Sequence, residues 1–336
     1  MCIWFVCVLA GCKTEKAPVG RVRRGFNQII EKFTIVQTSK GKLKIILEAE
    51  SAIMDGDKGV AHAKFVKAKI YDNGKFASML TAEVANIDMV TNDVYCAGKC
   101  VLDSANNEHL ETTDLMYSAG KDLIYSNNSV KITRSGEILY GTSFRSNTKL
   151  DKITVENQKT VLKERAVVTG DKLELKRENG NIATCKGNSK IFNKDVTITA
   201  DKIAYNEMKS DVYASGNVNL SSKNQKEGTF QAYGNFAQYS VVSQKGEMCE
   251  DVKVISEDEK SICTIYADKI NTSKNGQTIN VDACQTIEKR PTATIFSSVF
   301  DGDFIADKMM LSYDGSKEQK KINMSGNVSA HIKIKD

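Results

Sequence analysis

The chain has 336 residues, 41% hydrophobic and 26% charged, a globular composition rather than that of a disordered tail. With 2 prolines and no apolar run near the roughly 18 residues of a spanning helix, it is neither a proline-rich linker nor a polytopic membrane protein. Lys+Arg at 47 against Asp+Glu at 42, with interspersed signs, leaves a net charge of +5, too mild for nucleic-acid binding as the main business. His62, His109 and His331 lie far apart, so a histidine-based metal centre or triad has little to build on.

Taken in chain order, the first element is an address. Ile3-Trp4-Phe5-Val6-Cys7-Val8-Leu9-Ala10 is a short apolar run that ends in small residues, like a secretory signal over 1–11. Leu9-Ala10-Gly11-Cys12 resembles the lipobox of bacterial lipoproteins, which implies acylation of Cys12 and cleavage just before it. Only Met1-Cys2 precede the run, without the basic residues that usually open such signals. The hydrophilic stretch from Cys12 through Gly25, with Pro18 and the cluster Arg21, Arg23 and Arg24, reads as a tether. Arg23–Lys32 allows at most a turn or two of helix.

Beyond the anchor lie Cys96, Cys100, Cys185, Cys249, Cys263 and Cys284. Their spacing gives no zinc pattern, and Cys96 and Cys100 on one flat strand would sit roughly 13 Å apart, out of disulfide reach. Buried free thiols are expected.

The strongest signal is internal repetition. Ala200-Asp201-Lys202-Ile203 leads to Ser215-Gly216-Asn217-Val218, and Ala267-Asp268-Lys269-Ile270 and Ala306-Asp307-Lys308-Met309 recur downstream, the last before Ser325-Gly326-Asn327-Val328. Gly170-Asp171-Lys172-Leu173 and Thr113-Asp114-Leu115 are weaker copies. Such spacing marks stacked supersecondary units. Within each, alternation of period two marks half-buried strands: Val212, Ala214, Gly216, Val218 and Leu220 share one face, and Ile322 to Ile334 alternates as one long C-terminal strand. Turn signals at Asp72-Asn73-Gly74, Asn127-Asn128, Asn179-Gly180-Asn181, Lys274-Asn275-Gly276 and Asp314-Gly315-Ser316 separate the strands.

The fold expected is all-β: two stacked antiparallel sheets forming an elongated, twisted β-jellyroll, with two such units in tandem. About thirty short strands, fifteen to a sheet, would give a body of roughly 70 Å. A long C-terminal edge strand suggests a docking surface, because soluble proteins normally protect such edges. The interior-facing candidates are Val94, Val130, Ile132, Ile198, Val212, Val218, Leu220, Ile322, Met324 and Val328, with lining rather than catalytic roles. Periodicity alone leaves ordinary core packing equally open for each.

An enzyme would need converging carboxylates or a nucleophile with its base. Asp171, Asp201, Asp268 and Asp307 recur once per unit, too sparse for calcium, and read as turn residues at strand starts. No phosphate loop, cofactor motif or catalytic set is recognisable, so the chain reads as a non-enzyme without cofactor or metal.

Phe33-Thr34-Ile35, Gly41, Leu47-Glu48-Ala49-Glu50-Ser51-Ala52, Leu80-Thr81-Ala82, Gly98, Leu110-Glu111-Thr112-Thr113-Asp114-Leu115-Met116-Tyr117 and Ile124-Tyr125-Ser126 resemble LptC, the periplasmic component of lipopolysaccharide export in Gram-negative bacteria. Residues 166–336, with their Ala-Asp-Lys and Ser-Gly-Asn-Val repeats, resemble the LptA (OstA-like) proteins. The resemblance assigns 26–165 to an LptC-like jellyroll and 166–336 to an LptA/OstA-like one. It implies an open-sided jellyroll whose apolar interior takes the acyl chains of lipopolysaccharide. It also implies permeases of an inner-membrane ABC transporter at the N-terminal edge and an LptA- or LptD-like jellyroll at the C-terminal edge. The protein would be periplasmic, anchored to a membrane through Cys12, and would not bind nucleic acid. LptC members usually carry a transmembrane helix and one jellyroll, whereas this chain offers a lipidated cysteine and two. A structural or adhesive envelope repeat protein without lipid cargo is the competing reading.

Overall fold

The computed structural model describes residues 27–335, apart from 57, 135, 163–165, 178–180, 193–195, 207, 225–227, 241, 244, 273–277, 283–289 and 315–318. The signal, the tether, Cys12, Cys284 and three of the expected turns (at 179–180, 274–276 and 315–316) fall wholly or largely outside the described residues. The chain divides at Val155/Glu156 into two compact units.

In unit 1 an antiparallel meander runs through β1 (Asn27–Ser39), β2 (Lys42–Asp55), β3 (Val60–Asp72), β4 (Lys75–Asp88), β5 (Val94–Ser104) and β6 (Glu108–Ser118). β6 then pairs with both β7 (Leu123–Tyr125) and β8 (Val130–Arg134), and these pair with β9 (Glu137–Asn147). Residues 27–32 belong to β1 rather than to a helical turn; an alternating stretch offered a sheet edge forms ladder hydrogen bonds that a single helical turn cannot match.

β10 (Lys152–Leu162) spans the division. Unit 2 continues the meander through β11 (Ala166–Lys176), β12 (Ile182–Phe192), β13 (Val196–Asn206), β14 (Asp211–Asn224), β15 (Gly228–Ser240), β16 (Lys245–Glu257) and β17 (Ser261–Thr272). β17 then pairs with β18 (Thr278–Asp282) and β19 (Thr292–Ser297). β18 leads to β21 (Lys308–Asp314) and β22 (Gln319–Ser325), and β19 to β20 (Phe300–Ile305) and β23 (Ser329–Ile334).

The described residues form 23 strands rather than about thirty, and most run 11 to 14 residues. The reason is a bulge in mid-strand that lets one strand serve both layers. In unit 2 the register shifts at Thr169/Lys172, Lys186/Ser189, Thr199/Lys202, Ser215/Val218, Tyr233/Phe236 and Cys249/Val252, so the irregularities line up strand after strand. A bulge bends its strand and increases its twist, and a row of them creases the sheet.

The repeat motifs build this crease. Gly216 (φ +74°) and Asn217 (φ +49°) are both left-handed, as are Gly187 and Asn188. A Cβ at Gly216 would collide with the Asp201 carboxylate on the neighbouring strand. That carboxylate instead accepts a hydrogen bond from Asn217 Nδ2 at 2.9 Å; Asp171 accepts from Asn188 at 3.0 Å, and Asp307 from the Asn327 backbone N–H at 2.9 Å. Asp171, Asp201 and Asp268 therefore stand in mid-strand, not in turns, and the first two act as acceptors; Asp307 precedes a strand. Sequence periodicity cannot reveal this, because the donor comes from the next strand.

The expected single strand Ile322–Ile334 is likewise broken at Gly326–Val328 into β22 and β23. Gly326, at φ +86°, holds the last crease position.

One rung departs from the pattern. Opposite Asp268 stand Glu250 and Asp251, left-handed at φ +66° and +54°, where the other rungs carry Gly-Asn. Asp268 Oδ2 is buried without a hydrogen-bond partner among the described residues. The double substitution Glu250→Gly/Asp251→Asn should therefore stabilise the protein by about 1 kcal/mol, relieving left-handed strain and supplying the missing donor. Thermal unfolding measures this; an unchanged or lower Tm would show that Asp268 gains nothing from an asparagine there.

Candidate functional site

The crease turns two rows of apolar side chains toward each other in unit 2. One row follows the register Leu173, Cys185, Ile203, Ala214, Ala237, Met248, Ile270. The other, across the crease, runs Ile191, Ile198, Leu220, Ala232, Val254, Ile265, Ala293, Phe304, Ala330. Members of both rows pack in one apolar cluster, as facing halves of a folded sheet must.

Of the interior candidates, Val218 lies inside this cluster, and Ile198, Val212, Leu220, Ile322 and Met324 pack against it partly exposed. Val94, Val130 and Ile132 are buried in unit 1. Val328 lies apart, 49% exposed in the break between β22 and β23. Sequence reasoning passed over Leu173, Ile203, Ile270 and Met309, although all four stand directly after an Asp-Lys pair. The dipeptide marks the crease, and the residue following it is the first to turn inward.

The two interiors differ in filling. Unit 1 holds Phe144, Leu47, Ile70, Leu80, Leu102, Leu110, Leu115, Ile124 and Leu150 wholly buried, whereas among the described residues of unit 2 Ile265 and Ile270 are the comparably large side chains buried to that degree. Strands of unit 1 alternate cleanly between buried and exposed; β11, β12 and β13 are half-buried along most of their length. The apolar rows of unit 2 also run out to the last strand. Ala330 and Ile332 continue the inner face on β23, where Ile332 is 53% and Ile334 75% exposed.

Among the described residues Cys96, Cys100, Cys185, Cys249 and Cys263 form no disulfide. Gly98 (φ +86°) kinks β5 between the first two, so the flat-strand spacing does not apply to them. Burial, with a smaller effect of Cys100, pushes the Cys96 thiol up to about 12, and burial together with Asp114 and Glu83 pushes Cys100 to about 11. Neither is a nucleophile at neutral pH. Among the described residues no cluster of three or more histidine, cysteine or carboxylate side chains could hold a metal.

Charge sits on the outer face. His109 Nδ1 lies 2.7 Å from Asp103 Oδ1 and its Nε2 is 3.6 Å from Glu111, which also pairs with Lys131 at 3.0 Å.

The sheet is creased onto its own apolar face with most charge outside, Glu108 beside Arg134 being a buried exception. Residues 1–164 match the family model for lipopolysaccharide-assembly, LptC-related proteins. A search of curated proteins gives no match. Among solved structures, the chain is similar to the crystal structure of LptH, the LptA homologous periplasmic component of the lipopolysaccharide transport device of Pseudomonas aeruginosa. The identity is 22% and the TM-score 0.34, over 39% of this chain and 93% of that one.

The hydrogen bond to Asp103 is the main cause that raises the His109 pKa above its ordinary 6.5, with Glu111 adding to it. A raised pKa means that the folded state binds the proton more tightly than the unfolded one. The stabilisation is then complete below the unfolded value and fades as pH rises through the folded one. NMR titration should find His109 above 6.5, and Asp103→Asn should lower it. The stability difference between the two proteins should shrink as the pH rises above the ordinary imidazole value of 6.5; a constant difference would assign Asp103 a role other than holding the imidazolium.

Proposed function

We propose that this chain is a periplasmic component of lipopolysaccharide transport, shielding acyl chains in an apolar β-jellyroll interior as they pass from an inner-membrane ABC transporter toward the outer membrane. The LptC match over residues 1–164 carries this reading. The folded sheet supplies the physical means. Each CH₂ exposed to water costs roughly 0.8 kcal/mol, so a conduit must stay apolar and covered along its length, and it needs no reacting group. The lining comprises Val94, Val130 and Ile132 in unit 1, and Ile198, Val212, Val218, Leu220, Ile322 and Met324 in unit 2. Val328 belongs with the exposed edge strand β23, which takes up the next jellyroll, LptA- or LptD-like, by strand addition. The transporter permeases meet the N-terminal edge, and Cys12 carries the lipid anchor, in the inner membrane.

Two experiments test this. A photocrosslinking residue at Leu220 should capture lipopolysaccharide in cells, and one at the outward Tyr140 should not. No adduct at Leu220, with the protein folded and exported, would favour an adhesive or structural role without lipid cargo. Cys12→Ala should move the protein from the membrane fraction to the soluble periplasm, because loss of the acyl chains removes the anchor. Retention at the membrane would remove Cys12 from the scheme.

A further inference from the structure

Unit 1 is closed by one turn. Strands β5 and β6 run 11 residues each between the two margins of the creased sheet, about 35 Å if extended. One margin carries the β3–β4 and β5–β6 turns, the other the β4–β5 and β6–β7 turns. The turn Asn147–Asp151 leaves β9 at the second margin, where Asn147 pairs with Leu123, and Thr148 Oγ1 donates to Asp122 Oδ1 at 2.8 Å. Yet the same turn is fastened to the first margin. Ser78 Oγ donates to the Thr148 carbonyl at 3.2 Å, and Lys149 Nζ lies 3.0 Å from Asp72.

This turn is unlike the hairpin tips elsewhere in the chain. Turns lie on the surface, and Val90 and Met208 at two of them are 81% and 78% exposed. Thr148 and Leu150 are 1% exposed each. Leu150 holds φ +58°, a left-handed conformation that is costly for a branched side chain and persists only where the surroundings impose it. Within the turn, Leu150 N–H donates to the Asn147 carbonyl at 3.1 Å, and Asn147 and Asp151 exchange side-chain and backbone hydrogen bonds. The turn is thus a small rigid body, tied to both margins by few bonds, with an apolar side chain withdrawn from solvent.

We propose that Asn147–Asp151 is a strap across the opening of unit 1, with Leu150 as its plug, and that unit 1 admits an acyl chain only when the strap lifts. The inference rests on the lipid-shielding reading above and refines it: entry of an acyl chain into unit 1 is gated. The ties suit a gate. Lys149–Asp72 is partly exposed, and such a pair is weak; release of Leu150 also relieves its backbone.

The native cysteines report on access without lipopolysaccharide. Cys96 and Cys100 are buried in unit 1, and Cys185 and Cys263 in unit 2. The full chain is treated with N-dodecylmaleimide, a thiol reagent with an acyl-like tail, and labelling is followed cysteine by cysteine by mass spectrometry. In the unmodified protein Cys96 and Cys100 should stay protected. Lys149→Ala and Leu150→Gly should each speed labelling at Cys96 and Cys100 by about tenfold and leave Cys185, buried in unit 2, unchanged. Leu150→Gly suits the backbone, since glycine tolerates a positive φ. Leu47→Ala, an equally buried loss in β2, controls for general loosening. Equal acceleration by Leu47→Ala or unchanged rates in both strap variants would each overturn the strap. None of these results touches the Leu220 crosslink, so the two readings fail separately.

Discussion

The structure depends on one local arrangement: a left-handed pair in mid-strand whose backbone is held by a carboxylate on the next strand. An extended chain reverses direction at a turn, but here it must bend without leaving the sheet. Gly-Asn provides the bend, because glycine pays no Cβ penalty and asparagine tolerates the same region. The aspartate across the strand boundary fixes where the bend falls. Asn217 to Asp201 and Asn188 to Asp171 are successive rungs of one ladder, and their alignment makes the strands crease along a line. Unaligned bends would twist strands individually and leave no common interior.

That arrangement explains which parts of the fold the sequence discloses. The all-β class and the inward phase of Val212, Ala214 and Val218 follow from period two, since a strand presents alternate residues to one face whatever its partner. The repeats were visible for the same reason that the ladder exists, because every rung needs the same residue types. Their meaning was not visible. Ala-Asp-Lys and Ser-Gly-Asn-Val are two halves of one contact, and only the register that sets Lys202 against Ser215 joins them. Read singly, an aspartate beside a strand looks like a turn former, and Gly326-Asn327 looks like an interruption too slight to divide β22 from β23. The lining set was partly legible: its unit 2 members gather in one cluster apart from Val328, which alternation places inside but the sheet edge leaves in solvent.

Burial is the property that alternation does not carry. Among the described residues unit 1 buries seven leucines, whereas unit 2 buries Leu173 and Leu311 and fills its interior mostly with alanine, valine, isoleucine and methionine. In unit 1 the segment after β9 also returns to Ser78 and Asp72 before entering β10. Those contacts join residues about seventy positions apart in sequence, and no pattern within a strand predicts them.

The edge strand completes the argument about direction. Each inner row gains its cover from the strand beyond it, and β23 has no strand beyond it among the described residues. Ile332 and Ile334 are therefore exposed for the same reason that Ile265 is buried, since they occupy one inner face at its end and at its middle. An exposed β edge bearing apolar residues invites another strand, and soluble chains usually guard it with charge or a bulge. Here Lys333 and Lys335 supply charge on alternate positions, while the inward positions remain aliphatic. A partner that adds a strand to β23 would satisfy its free backbone groups and extend the apolar rows by one more step. Both proposals, shielding and docking, rest on one feature, an inner face that continues as far as the last described strand.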